Sequence, residues 1–341
     1  MIESIIQNII TVWHALESQP DDTEGFKHHL VEINPYFGLY GGCFFPTKKK
    51  SLLFGFPNAF QDYSATLPHG KGFTVTTTKS DQLDSKFDWI TIVCNDPNAE
   101  GIFISMIRDL LRGILDRQKH SNGHQLLQFV IDRINAWQKF FGKQRQPKLS
   151  KEEEIGLWGE LYVFQQLLKL GIPQTILCSS WVGPEDSPQD FIFLKMALEI
   201  KTLVNQPLTK LRINSLDQLD YTAFDSLYLL CNFLAVHPEE GLTLPALVRQ
   251  IDGGLDTNST KVYFENKLIT TGYFKEYESY YDTPYLVQNQ QIFLVDETFP
   301  SLTSQKIPKE IIRAIYFLDL TNIHTNLSIE TVMGNLEVAT L

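Results

Sequence analysis

Hydrophobic positions recur along this chain with two different periods, and the period changes at clear punctuation. Residues 2–16, within MIESIIQNIITVWHALES, place apolar side chains at helical spacing and predict a helix. Four short runs follow, at 37–45, 51–56, 72–77 and 87–93. They are rich in aromatic and β-branched residues and separated by Gly, Pro, Asn and Asp, so they predict strands. Residues 99–117 and 124–141 return to apolar spacings of three and four and predict two helices. The string GKQRQPKLSK at 142–151 is polar, basic and Pro-containing, and reads as a linker. An amino-terminal α+β region, 1–146, is therefore expected ahead of a second domain, 147–341.

That second domain opens on Ser150 and Glu153, a capping-box pair that predicts a long helix, with Gly171 and Pro173 as its stop. A turn-rich stretch containing Pro184 and Pro188 leads into an extended, mostly apolar region at 190–204. A strand at 210–213, a short helix at 215–220 and an apolar strand at 226–236 come next. Helices near Leu247 and over 262–271, then strands at 285–287, 291–295 and 314–320, complete a mixed α/β order.

With 341 residues and 43% hydrophobic content, the chain can bury cores without staples. Cys43, Cys94, Cys178 and Cys231 are far apart and show no zinc or dithiol spacing, so they are expected as buried thiols in a reducing cytoplasm. The amino terminus has neither the basic start nor the cleavage site of a signal peptide, and no stretch has the length of a membrane span. A net charge of −11 argues against a protein that coats nucleic acid, since such binding is mostly phosphate neutralisation. It leaves room for an enzyme that confines its positive field to one groove and a bound metal.

Candidate chemistry is concentrated in SPQDFIFLKMALEIKTLV, 187–204. Residues two apart in a strand share a face, so Glu199 and Lys201 project together while Leu198, Ile200 and Thr202 face the other way. A carboxylate and an ammonium beside Asp190 are costly among strands this apolar, and call for a chemical reason. Hydrolysis of a phosphodiester near neutral pH needs a hard cation held by carboxylates, to polarise the phosphate and acidify a water. It gains from an ammonium that stabilises developing negative charge. Asp190 and Glu199 meet the first need and Lys201 the second, and the main-chain carbonyl of Ile200 between them offers a further oxygen.

Asp190, a short hairpin and then Glu199-Ile200-Lys201-Thr202 resemble the PD-(D/E)XK phosphodiesterases. GLWGEL at 156–161 ahead of the DF…EIK segment resembles, more narrowly, the bacterial defence-associated PD-(D/E)XK motif proteins. The resemblance implies a restriction-endonuclease-like mixed sheet flanked by helices. It implies Mg²⁺, with Mn²⁺ able to substitute, and hydrolysis of DNA in restriction or phage defence. It further implies a metal-site glutamate on the capped helix. Glu160 qualifies, because Gly156, Leu157, Val163, Phe164 and Leu167 around it form an apolar stripe that leaves it unsolvated. Gln189 stands where the family name has a proline. Some relatives carry a supporting glutamine after the next strand, and Gln218 matches it. Lys210 and Arg212 share one strand face, and are candidates for contacting a phosphate, with a solvated edge as the alternative.

A subunit that keeps the fold as a non-catalytic DNA-binding or scaffold component of a defence complex is the main rival. Action on RNA or branched DNA keeps the same chemistry, and a homodimer or partner subunits would supply specificity. The remaining signals are weak. Lys48, Lys49 and Lys50 read as a solvated turn. The histidines have no ligand spacing, HGKGF is too short for a phosphate loop, and no nucleophile elbow occurs.

Overall fold

The computed structural model describes residues 1–20, 25–60, 67–68, 72–96, 99–142, 148–185, 187–204 and 211–334. It divides into two units, Met1–Pro147 and Lys148–Leu341.

In the first unit, helix α1 (Ile2–Glu17) buries Ile5, Ile6, Ile9, Trp13 and Leu16, the stripe set by its helical spacing. It lies against β1 (Gly25–Ile33) and β2 (Gly38–Phe45). With β3 (Lys49–Pro57), β4 (Phe73–Thr78) and β5 (Phe87–Cys94) these form an antiparallel sheet of order β1-β2-β3-β5-β4. Helices α2 (Glu100–Arg117) and α3 (Gly123–Gly142) pack on each other, and α3 contacts β3. Strand β1 is not among the strands expected from sequence, because its side chains are all exposed or half-buried and leave no apolar alternation to read. The lysine run differs from the solvated turn expected. Lys49 and Lys50 begin β3, and the Lys50 ammonium lies 2.6 Å from Glu100 and 3.3 Å from Glu17. All four cysteines are free and buried.

The second unit is built on a four-stranded mixed sheet of order β10-β9-β7-β6. Strand β6 (Phe191–Phe193) and β7 (Met196–Val204) form an antiparallel hairpin, turning at Leu194 with φ 51°. Strand β7 runs parallel to β9 (Ser226–Val236), which pairs antiparallel with β10 (Tyr285–Val295). A register shift between Val287 and Asn289 lets β10 run on as one strand where two were expected. The short helix expected at 215–220 is a turn whose Leu216 and Leu219 are buried. Strand β8 (Leu211–Ile213) leaves this sheet and pairs with β11 (Tyr316–Leu318) as a separate ribbon.

Alternation along β7 decides which layer covers which face. Leu198 and Ile200 enter a core with Leu157, Trp158, Leu161 and Phe164 of helix α4 (Lys151–Lys169). Ala197 and Leu203 enter a second core, with Leu211, Ile213, Leu219, Leu318 and Leu320. Full burial of each such aliphatic or aromatic side chain contributes about 1.5–3 kcal/mol, so both faces hold β7 firmly. Helix α4 starts at the expected capping box: Ser150 Oγ accepts from Glu153 N at 3.2 Å, and Glu153 Oε2 accepts from Ser150 N at 2.9 Å. Helices α5 (Gln174–Ser180), α6 (Leu244–Gly254), α7 (Asn258–Thr271) and α8 (Ile329–Gly334) complete the unit. None of the described helices is long and apolar enough to cross a membrane.

Candidate functional site

Helix α4 crosses β7 at a glycine. A Cβ on Gly159 would collide with Thr202 Oγ1, so only glycine lets the helix descend this close. Asn232 Nδ2 donates to the Gly159 carbonyl at 3.4 Å, and Trp158 Nε1 donates to the Leu242 carbonyl at 2.9 Å. The next residue is Glu160. The GLWGEL string thus has a local meaning: Leu157, Trp158 and Leu161 enter the core, Gly159 sets the approach, and Glu160 is delivered beside the β6–β7 hairpin.

At the hairpin, Asp190 precedes β6. Its Oδ2 accepts from Ile200 N at 2.7 Å, beyond the point where β6 stops pairing with β7. The N–H and C=O of one strand residue point to the same side, so the Ile200 carbonyl is directed to that edge as well. On β7, Glu199 is 1% exposed, and its Oε1 lies 2.7 Å from Lys201 Nζ. Gln218 Nε2 also donates to Glu199 Oε1, at 2.7 Å, while Asn214 N donates to Gln218 Oε1 at 2.8 Å. Gln218 reaches the cluster from a turn rather than from a helix. Gln189, in the motif's proline position, holds that turn by donating to the carbonyls of Asp217 at 2.8 Å and Gln218 at 3.4 Å.

Electrostatics follow from this crowding. Burial pushes Glu199 up to about 8, with Lys201 opposing the rise and Asp190 adding to it. Burial pushes Asp190 up to about 6, opposed by Lys201 and by the Ile200 N–H. Glu160 is raised well above the usual carboxylate range, first by burial and then by the charge of Asp190, against the pull of its hydrogen bond from Trp181. Burial works against the Lys201 ammonium, but Glu199 and Asp190 outweigh it and its proton is held more tightly. Three carboxylates therefore share one ammonium, an excess of negative charge in a water-poor place that favours an additional cation.

The side chains fit a hard cation on two further observations. Glu199 Oε2 is buried without a hydrogen-bond partner. A Cβ on Gly183 would come within 2.9 Å of Asp190 Oδ1 and 3.0 Å of Glu160 Oε2, so these two oxygens face one spot that glycine leaves clear. Among the described residues no three Asp, Glu, His or Cys side chains are gathered closely enough to hold a metal ion as they stand, and several of these oxygens are bonded to Lys201, Gln218, Ile200 and Trp181. Lys201 and Gln218 both bond Glu199 Oε1, which leaves Oε2 as the oxygen Glu199 could offer to such an ion.

The phosphate-contact candidates fare differently. Arg212 is exposed on β8, opposite Phe317 of β11, while its neighbours Leu211 and Ile213 point into the core. Lys210 lies outside the described residues. Trp181, Gly183 and Gln189 were not read as functional from sequence. Trp181 alone left a clue, because a buried indole needs an acceptor for its N–H.

The mixed sheet with its β6–β7 hairpin and flanking helices forms a restriction-endonuclease-like α/β fold. A family described as "Putative PD-(D/E)XK family member, (DUF4420)" matches residues 9–321, and the chain belongs to that family. No curated protein and no solved structure gives a significant match.

Proposed function

We propose that this protein is a metal-dependent endonuclease that hydrolyses DNA phosphodiester bonds, in restriction or phage defence in the cytoplasm. The observation that carries this reading is the meeting of Asp190, Glu199 and Lys201 at one hairpin, with Glu160 facing Asp190 across Gly183. Asp190, Glu199 and Glu160, with the Ile200 carbonyl, would hold Mg²⁺, or Mn²⁺ in its place. The bound ion would polarise the scissile phosphate and lower the pKa of the attacking water.

The chain's own groups do the rest. Lys201 stays an ammonium and stabilises charge developing on the phosphate oxygens, or orients the nucleophile. Gln218 and Lys201 both bond Glu199 Oε1 and fix its orientation. Asp190 is oriented by the Ile200 N–H, and Glu160 by Trp181. Arg212 is a phosphate contact on the exposed face of β8. With a net charge of −11, affinity rests on few contacts, and a homodimer or partner subunit would add specificity and a second site for the second strand.

Cleavage of supercoiled plasmid and single-stranded DNA, with Mg²⁺, Mn²⁺ or chelator, tests the proposal. Cutting that needs metal and disappears in Glu199→Ala and Lys201→Ala is the expected result. No cutting, together with no Glu199-dependent metal binding by calorimetry, would replace the enzyme with a non-catalytic DNA-binding or scaffold subunit.

A further inference from the structure

The proposed chemistry makes no use of Lys267, a lysine of α7 that is 3% exposed. Removing an ammonium from water costs several kcal/mol unless fixed partners replace the hydration. Lys267 Nζ donates a short hydrogen bond to the carbonyl of Trp181, the residue that caps the end of α5. Glu185 Oε1 lies 3.8 Å away, and the Tyr263 ring centroid 5.3 Å away. A helix ends with carbonyls that have no partner in the helix, and the ammonium meets one of them.

Trp181 is itself fully buried. Its ring packs in a three-ring cluster with Phe164 and Phe264, at centroid distances of 5.8 Å and 5.9 Å, the two phenyl rings being 5.3 Å apart. An indole has one donor and no acceptor, so a ring fixed in this way aims its N–H in one direction. Trp181 Nε1 donates to Glu160 Oε2 at 2.8 Å. The bond leaves that carboxylate oxygen with capacity for a second partner. The two residues that follow are tied to the main chain of Asp190, as Val182 N and Gly183 N donate to its backbone carbonyl at 2.8 Å and 3.0 Å. Residues 181–183 thus form a strap that reaches Glu160 by a side chain and Asp190 by the backbone, and Lys267 anchors its beginning.

We propose that Lys267 and Trp181 are positioning residues that act through Glu160, holding its carboxylate toward a divalent cation against repulsion from Asp190 and Glu199. This rests on the metal-dependent reading above. Without the indole N–H, Glu160 would relieve that repulsion by rotating away from the cluster. Without the Lys267 ammonium, the strap would lose its anchor and the indole its fixed aim.

The test is Mn²⁺ binding by calorimetry to the full chain, with the melting temperature recorded for each variant. Trp181→Phe keeps most of the aromatic volume and removes the N–H, and Lys267→Met removes the charge while leaving Trp181 in place. Each is expected to weaken Mn²⁺ binding about 10-fold or more, the usual effect of losing a partner that orients a metal ligand. A purely structural role would weaken binding whether or not Glu160 is present. The deciding comparison is therefore made in a Glu160→Ala background, which has no side-chain oxygen for Trp181 to aim, and there adding Trp181→Phe or Lys267→Met should leave the already reduced affinity unchanged. An equal further loss in that background overturns the proposal. So does wild-type affinity in both single variants. If the unaltered protein binds no Mn²⁺, the metal-dependent reading itself fails, and the relay with it.

Discussion

At the scale of single residues, the crowding of Asp190, Glu199 and Glu160 costs stability, which uptake of the proposed cation would offset. A carboxyl raised in the folded protein keeps its proton at a pH where the unfolded chain, near the ordinary value of 4.5 for Glu160, has lost it. The folded state then binds more protons, so its stability is greatest below that pH and falls as pH rises. For Asp190 and Glu199 the fall runs from the ordinary values of 3.8 and 4.5 up to about 6 and about 8. Metal-free protein should therefore melt at lower temperature at pH 8 than at pH 5. Glu160→Gln keeps an oxygen for Trp181 and removes one charge, so it should flatten this decline and raise the melting temperature at pH 8 while weakening metal binding. One pKa unit is worth about 1.4 kcal/mol, enough to be seen in thermal melts. A lower melting temperature for Glu160→Gln at pH 8 would contradict the charge crowding. Gly183→Ala offers a cleaner separation. Its methyl would sit between Asp190 Oδ1 and Glu160 Oε2, so Mn²⁺ affinity should drop about 10-fold or more, with a small change in stability.

At the scale of elements, the site depends on how closely α4 approaches β7. Gly159→Ala would drive a methyl into Thr202, and overpacking of this kind typically costs about 1–3 kcal/mol. Because Glu160 is the next residue, lifting the helix should also reduce metal uptake, which a plain stability defect far from the site would not do. Ser150→Ala serves as the control: it removes the capping bond to Glu153, should cost about 1 kcal/mol, and should leave metal affinity unchanged in folded protein. Much of this was legible in sequence. The Ser150–Glu153 box, the period-two run through Glu199 and Lys201, and the apolar stripe around Glu160 are local signals that survive folding. Strand β1 left no such signal, because its faces are not sorted by polarity. Gln218 came into view through resemblance alone, and the turn that carries it, held by Gln189, depends on residues distant in sequence.

At the scale of the whole molecule, two compact units and one candidate site make unfolding informative. Calorimetric melting should resolve into two transitions, because Met1–Pro147 and Lys148–Leu341 each form their own compact unit. Saturating Mg²⁺ should raise the transition of Lys148–Leu341 alone, since a ligand stabilises what it binds. A single transition, or a shift in both, would mean that the units unfold as one. DNA binding should weaken with salt along a shallow slope, as expected for an acidic chain with few phosphate contacts, and Arg212→Ala should reduce the slope by roughly 1.

The sequence by itself singled out the candidate residues: Asp190, Glu199 and Lys201 by their types and spacing, and Glu160 by the family resemblance together with its place on an apolar stripe. Periodicity and charge cost are properties of neighbours in the chain, so they can be read without a fold. Only the tertiary structure decided that Asp190 and Glu160 face each other across Gly183, that Gln218 bonds Glu199, and that Trp181, steadied by Lys267, holds Glu160. These contacts join residues separated by tens of positions. Chain closure and core packing bring them together, and no local pattern encodes that.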